Sequence, residues 1–389
     1  KSSASDQKYS TPVFNKAFIF EQMGNLEEAK RHYLKAIKLD KYKFEYYYKL
    51  SRIDEKFIKY ADLNFIKDQI NENKDLSSIS KANGYFILAK GERAKKNITE
   101  EIKLLSKAHN SFFISNENNK IIEKYWLDLI PKFLSNFKVI KSREKSSILS
   151  PIFVTGLPRS GTTLVESIIF SSKNNIINAG ETGVINKALT NLKQKELFNI
   201  SKENFSSEID LIDLNNEIIG LYEELNLAGK FFTDKSLENI FFSEIIFSVF
   251  PDAKIINCQR NKFDNFISIY QQFFPQLAWS HSFESIIKYI NNHDYFLKIY
   301  KKKFPNKILS VELEELTNNP EEISKKILTF CDLKWSKNVL DFYKRKDLIS
   351  KTASNIQIRE QIYKYDRGRF DSYRAYFKES PLPLNNLYK

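Results

Sequence analysis

The stretch Pro151-Ile-Phe-Val-Thr-Gly-Leu-Pro-Arg-Ser-Gly-Thr-Thr-Leu-Val-Glu-Ser-Ile-Ile169 constrains this chain more than any other. Ile152 to Thr155 read as a buried strand that runs straight into a loop punctuated by Gly156, Pro158 and Gly161. Leu164, Val165, Ile168 and Ile169 then recur at helical spacing. A strand, a glycine turn and a helix start bring free backbone N–H groups and the positive helix end to one spot, which suits an anion, most often a phosphate. The same glycines also serve a turn that only lets a helix pack on a sheet.

The spacing of Gly156 and Gly161 matches a Walker A loop, but Thr162 and Thr163 follow where the lysine of nucleotide hydrolases belongs. Arg159 is the cation inside the loop. The expectation is a 5′-phosphate-type ligand without standard ATP chemistry.

At 389 residues the chain has room for two regions, each with a core. No run approaches the roughly 18 apolar residues that span a bilayer, and no apolar leader opens the chain, although Lys1 stands where an initiator Met would be and is compatible with a removed leader. Two cysteines, Cys258 and Cys331, far apart, argue against a disulfide framework. With no anchor and no framework, the expected compartment is the cytoplasm. Four histidines without ligand spacing, and no Cys/His cluster, predict no metal. The net charge of +13 suits an acidic partner. Lysine is abundant throughout, however, and no nucleic-acid module is visible, so nucleic acid is not an expected partner.

Residues 1–137 read as all-helical, with 1–12 polar and frayed. Val13 to Asp40 form a helical hairpin turned at Gly24-Asn25. Ala17, Phe20, Ala29, Tyr33 and Ala36 sit where a tetratricopeptide repeat would have them. A degenerate second copy is expected over Tyr85–Ala108, with Glu101 where a small residue belongs. Residues 44–79 read as further helix, and Lys120–Phe137 as another. One repeat cannot bury its own face; the region is either a groove for a partner or acceptor, or a helical cap on the C-terminal region.

A Lys/Arg/Ser-rich linker is expected at 138–149, and after it residues 150–389 alternate short apolar runs with amphipathic helices. This predicts a three-layer α/β domain around a mostly parallel sheet. Strands are expected at 151–155, 175–179, 230–234, 253–258 and 307–313, a helical insertion at 191–228 and a long helix at 282–303. Ligands in such sheets sit beyond the carboxyl ends of the strands.

Pro158-Arg-Ser-Gly-Thr-Thr-Leu164 resembles the 5′-phosphosulfate loop of the sulfotransferases, which use 3′-phosphoadenosine 5′-phosphosulfate (PAPS) and release adenosine 3′,5′-bisphosphate. The resemblance implies a P-loop-like domain in which Arg159, Ser160, Gly161, Thr162 and Thr163 hold the 5′ end without a metal. Gln259-Arg-Asn261, followed by Ser268, is similar to the family's 3′-phosphate motif, implying that Arg260 and Ser268 hold that phosphate. A guanidinium and a hydroxyl are chemically apt there.

Asn178-Ala-Gly-Glu-Thr182 resembles the setting of the catalytic glutamate in the protein-tyrosine sulfotransferases, which implies Glu181 as general base. Lys235 in Thr233-Asp-Lys-Ser236 matches that branch's catalytic lysine, and no histidine stands there as it would in the small-molecule enzymes. Thr352-Ala-Ser-Asn-Ile-Gln357 and Arg367-Gly-Arg-Phe370 are similar to bacterial sulfotransferases carrying tetratricopeptide repeats. Ser354 and Arg369 then fall where the bridging oxygen and the nucleotide are held, with Arg for Lys and Phe for Trp as departures. Leu313 stands where the family usually has a tyrosine on the nucleotide.

These features imply a sulfotransferase acting on an acceptor hydroxyl (protein tyrosine, glycan or small molecule) bound near the helical repeats. A kinase with a degenerate loop, and a non-catalytic repeat scaffold, are the rival readings.

Overall fold

The computed structural model describes residues 4–54, 56–57, 62–140, 151–172, 175–198, 207–227, 229–345, 352, 354–378, 382, 384 and 387. The N-terminal half is helical: α1 (Ala4–Gln22), α2 (Leu26–Leu39), α3 (Phe44–Ile53), α4 (Leu63–Glu72), α5 (Ser78–Ala94) and α6 (Ile98–Phe113). Residues 4–12, expected to be frayed, continue α1. Asn25, Asp62, Ser77 and Asn97 each cap the next helix by accepting a backbone N–H three residues on. Helix α6 buries Glu101, Leu105, Ala108 and Phe112, a stripe at intervals of three and four residues. Next come α7 (Asn118–Lys124), a π-helical turn over Tyr125–Leu129, and α8 (Ile130–Ser135), where sequence periodicity predicts one unbroken helix.

Strand β1 (Lys138–Ile140) occupies the first three residues of the expected linker, and positions 141–149 lie outside the described residues. Next along the chain are β2 (Ile152–Gly156), α9 (Thr162–Phe170), β3 (Ile177–Asn178), α10 (Val184–Phe198), β4 (Glu208–Asp210) and α11 (Leu211–Glu224). The expected helical insertion at 191–228 therefore contains a strand; positions 199–206 and 228 within it are not described. Strand β4 pairs in parallel with β1 in a separate two-stranded ribbon. The chain continues through β5 (Phe232–Asp234), α12 (Ser243–Val249), β6 (Lys254–Gln259), α13 (Lys262–Tyr270) and α14 (Phe283–Lys303). It closes with β7 (Ile308–Glu312), α15 (Leu313–Asn318), α16 (Pro320–Phe330) and α17 (Asp371–Phe377).

The main sheet has the order β3-β5-β2-β6-β7, and every pairing is parallel. Its strands alternate between two apolar layers. Phe153 and Ile255 join a core that takes in α12, α14 and the N-terminal helices through Phe86, Leu105, Phe133 and others. Ile152, Val154 and Ile256 face the opposite layer, against Val165, Ile168 and Ile169 of α9 and Ile327 and Leu328 of α16. This is the three-layer α/β arrangement that the alternating pattern predicts, preceded by an all-helical region. Burial of these side chains contributes roughly 25 cal/mol per Å² of apolar surface removed from water. The strand order reverses direction at β2, so the loop after β2 lies at a switch point between β5 and β6, where α/β sheets leave a crevice.

Candidate functional site

The loop leaving β2 is held open by its own backbone. Gly156 has φ 146°, and a Cβ there would lie 2.4 Å from the Cys258 carbonyl oxygen. Gly161, at φ 96°, sits at the start of α9, where a Cβ would come 2.9 Å from Leu313 Cδ1. Arg159 adopts φ 69° without being glycine, a conformation that costs on the order of 1 kcal/mol and persists only where neighbours enforce it. The neighbours are identifiable. Asn265 Nδ2 donates to the Pro158 carbonyl at 2.6 Å, Arg260 Nη1 to the Arg159 carbonyl at 3.3 Å, and Ser160 Oγ to the Leu157 carbonyl at 2.7 Å. Ser160, Thr162 and Thr163 are buried around the turn. Thr163 Oγ1 meets Thr352 Oγ1 at 3.2 Å.

A cavity of about 200 Å³ opens beside this loop, with Arg159, Gly161, Thr163, Arg260 and Ser268 on its walls. Ser354, Arg369 and Leu313 line it as well, so the C-terminal segment folds over the strand ends. Arg159 Nη1 donates to Ser354 Oγ at 2.7 Å, while its buried Nε has no hydrogen-bond partner among the described residues. Burial, then the charges of Arg260, Arg52 and Arg369, push Arg159 down to about 10, which leaves it a cation at neutral pH. This convergence of guanidiniums fits a ligand with more than one anionic group.

Glu181 and Lys235 stand at the ends of β3 and β5, two adjacent strands, and are not among the lining residues of that cavity. Lys235 Nζ donates to Glu181 Oε1 at 2.8 Å; the lysine side chain is 1% exposed and the glutamate 45%. Lys235 is therefore not a surface lysine. Burial alone would lower its pKa, but Glu181, Glu166 and Asp234 outweigh that and raise it, keeping the ammonium charged. The pair is fixed from beneath by Asp234, fully buried, which accepts from Thr182 Oγ1, Tyr222 OH, Ser236 N and Oγ, and Asn239 Nδ2. Thr182 follows Glu181 and Ser236 follows Lys235, so one carboxylate ties both loops together.

Sequence reasoning missed several neighbours. Tyr365 accepts from Arg260 Nε at 3.0 Å, lies 5.0 Å from the guanidinium carbon across its ring, and donates to Asp264. Phe370 packs on Arg260 from another side at 5.3 Å. The proximity of Tyr365 to the Arg367–Phe370 run was the one available signal. Glu101, which looked misplaced for a repeat, is buried and holds Arg93 at 2.7 Å, with Gln271 and Tyr373 donating to it across to the α/β region. The helical hairpin reaches the site segment directly: Asn355 Nδ2 donates to the Glu21 carbonyl and Arg359 Nη2 to the Gln22 carbonyl. Among the described residues no group of three or more His, Cys, Asp or Glu converges as a metal site. Among them, no helix is long and apolar enough to cross a membrane.

Among known proteins, residues 151–337 match the model of the sulfotransferase family. An uncharacterised protein of Aquifex aeolicus (strain VF5) is 30% identical over 238 residues, 58% of this chain, and the chain spans only 31% of that relative's length. Among solved structures, the sulfotransferase domain of the Synechococcus PCC 7002 olefin synthase is 17% identical with a TM-score of 0.39, covering 63% of this chain and 93% of that one. The sulfotransferase STF1 of Mycobacterium tuberculosis H37Rv is 13% identical at 0.34, covering 76% and 95% respectively.

Proposed function

We propose that the chain moves the sulfuryl group of PAPS to an acceptor hydroxyl, with Glu181 as general base. The observation that supports this reading is the meeting of Arg159, Arg260, Ser268, Ser354 and Arg369 in one cavity at the phosphate loop. The Arg159 Nε, without a hydrogen-bond partner among the described residues, and the glycine cradle that a Cβ would fill, fit an anionic nucleotide. Residues 160–163 and the start of α9 would hold its 5′ end, and Arg260, Ser268 and Arg369 its 3′-phosphate. When bound, PAPS supplies a sulfuryl group whose bond to the bridging oxygen breaks as its bond to the acceptor oxygen forms.

Glu181, half exposed, is reachable by an acceptor and takes the hydroxyl proton in the same step. Arg159, Thr162, Lys235 and Ser354 offer positive charge and hydrogen-bond donors where negative charge gathers on the departing bisphosphate. Lys235 remains protonated throughout, so its part is electrostatic. Domain-wise, we take 1–137 as a tetratricopeptide-like helical region and 150–389 as the transferase, working in the cytoplasm.

Glu181→Gln tests the assignment. Transfer from labelled PAPS to acceptors in a cell extract should fall by about 10²–10⁴-fold. Affinity for adenosine 3′,5′-bisphosphate should stay within about twofold, since Glu181 is outside that cavity. Loss of nucleotide binding in this variant would make Glu181 a structural residue.

A further inference from the structure

Two neutral acceptors hold Arg260. Its Nε donates to the Tyr365 hydroxyl at 3.0 Å and its Nη1 to the Arg159 carbonyl at 3.3 Å. The Tyr365 and Phe370 rings lie 5.0 and 5.3 Å from the guanidinium carbon and limit its tilt. Two of the five N–H donors of a guanidinium are used in this way, and neither bond cancels its charge.

The hydroxyl has a direction of its own. Tyr365 OH donates to Asp264 Oδ2, so its oxygen turns a lone pair toward Arg260. Burial is the largest influence raising the Tyr365 pKa, which keeps that proton in place at neutral pH. Asp264 is 1% exposed, and its other oxygen, Oδ1, accepts from Arg374 Nη2 in an ion pair. Arg374 Nη2 also donates to Asn261 Oδ1 at 2.9 Å, and Asn261 caps α13 by accepting from Asp264 N at 3.1 Å. In the order Arg374, Asp264, Tyr365, Arg260, the carboxylate's charge is balanced on Arg374 and only a hydrogen bond passes to Arg260. A carboxylate in direct contact with Arg260 would orient it too, but would offset the charge that a phosphate needs.

Arg260 and Tyr365 line the phosphate-loop cavity and also an adjoining one of about 510 Å³, whereas Asp264 and Arg374 line only the latter. Asp264 therefore acts on a ligand in the first cavity through Tyr365. On the reading that the donor's 3′-phosphate lies on Arg260, we infer that Tyr365 sets the preference for 3′-phosphorylated nucleotides. It is a positioning residue, backed by Asp264, that aims Arg260 at that phosphate and leaves its charge available. The C-terminal segment then decides which nucleotide is accepted, and the Arg260–Ser268 motif is incomplete without it.

Calorimetry with adenosine 3′,5′-bisphosphate and adenosine 5′-monophosphate isolates what the 3′-phosphate contributes. The parent should prefer the bisphosphate by about tenfold or more. Tyr365→Phe keeps the ring over the guanidinium and removes the hydroxyl. It should cut that preference by about three- to tenfold, with monophosphate affinity within about twofold of the parent and the unfolding midpoint little changed. In the Arg260→Gln background the same substitution should alter the preference by less than about twofold, because a residue acting through Arg260 has nothing left to aim. An equal loss for both nucleotides, an unchanged preference, or two substitutions whose effects simply multiply overturns the inference. A parent that binds both nucleotides alike defeats the donor reading and this inference with it, so the two failures are told apart before any variant is measured.

Discussion

Glu166 shows how much charge is compressed beneath the site. It lies on α9, is 2% exposed, and accepts from Thr233 Oγ1 at 3.0 Å. Burial raises its carboxyl to about 7 from an ordinary 4.5, with Lys235 and the Thr233 hydroxyl pulling the other way. Between those values the native state binds more proton than the unfolded chain, so this group's contribution falls as pH rises from about 4.5 through 7. Glu166→Gln keeps an acceptor for Thr233 and removes the titration. The variant should exceed the parent by about 1–3 kcal/mol at pH 8 and match it near pH 4, measured by urea denaturation at both. No gain at pH 8 would contradict this account of Glu166. Nothing in Leu-Val-Glu-Ser marked Glu166 in advance, because its burial depends on β5, more than sixty residues away. Arg159, Arg260 and Ser268 could be singled out because their motifs resemble those of the sulfotransferases, and the structure brings all three to one cavity. Tyr365 and Asp264, which hold Arg260 in place, belong to no such motif.

Among the elements, the five strands of the main sheet announced themselves as short apolar runs before loops, and they sit within a residue or two of their expected places. The ribbon of β1 and β4 did not, since each is three residues long and each pairs with a partner some seventy positions away. The joint between α6 and the α/β region was equally hidden. His109 Nε2 lies 2.8 Å from the Tyr270 carbonyl, which only accepts, so Nε2 carries the proton; Nδ1 then accepts from His281 Nδ1 at 2.9 Å. Burial holds His109 down to about 3, helped by the charge of His281, and burial likewise holds His281 to about 4. Both rings are neutral in the native state and protonate near 6.5 when unfolded, so their contribution is full above 6.5 and is lost as pH falls below it. His109→Gln should cost about 1–3 kcal/mol at pH 7. Its stability should also decline less steeply than the parent's between pH 6.5 and 4.5, read from denaturation midpoints. A parallel decline would mean that the pair does not titrate as described.

Across the whole molecule, the helical region and the sheet share one apolar core, and the helices reach the site through Glu21, Gln22, Arg52 and Lys90. The sequence left groove and cap as alternatives because periodicity reports which face of a helix is apolar, not what lies against it. In the structure the helices cover a sheet face and, with Arg159 and Arg369, wall a cavity. The central claim is that the loop before Leu164 and Arg260 together grip a nucleotide bearing phosphates at both its 5′ and 3′ positions. Calorimetry with adenosine 3′,5′-bisphosphate, alongside ATP with magnesium, tests it most directly. The account predicts tight uptake of the bisphosphate without added metal, weakened by about tenfold or more in Arg260→Gln, and weak uptake of ATP. Indifference to the bisphosphate combined with tight, magnesium-dependent binding of ATP would contradict it.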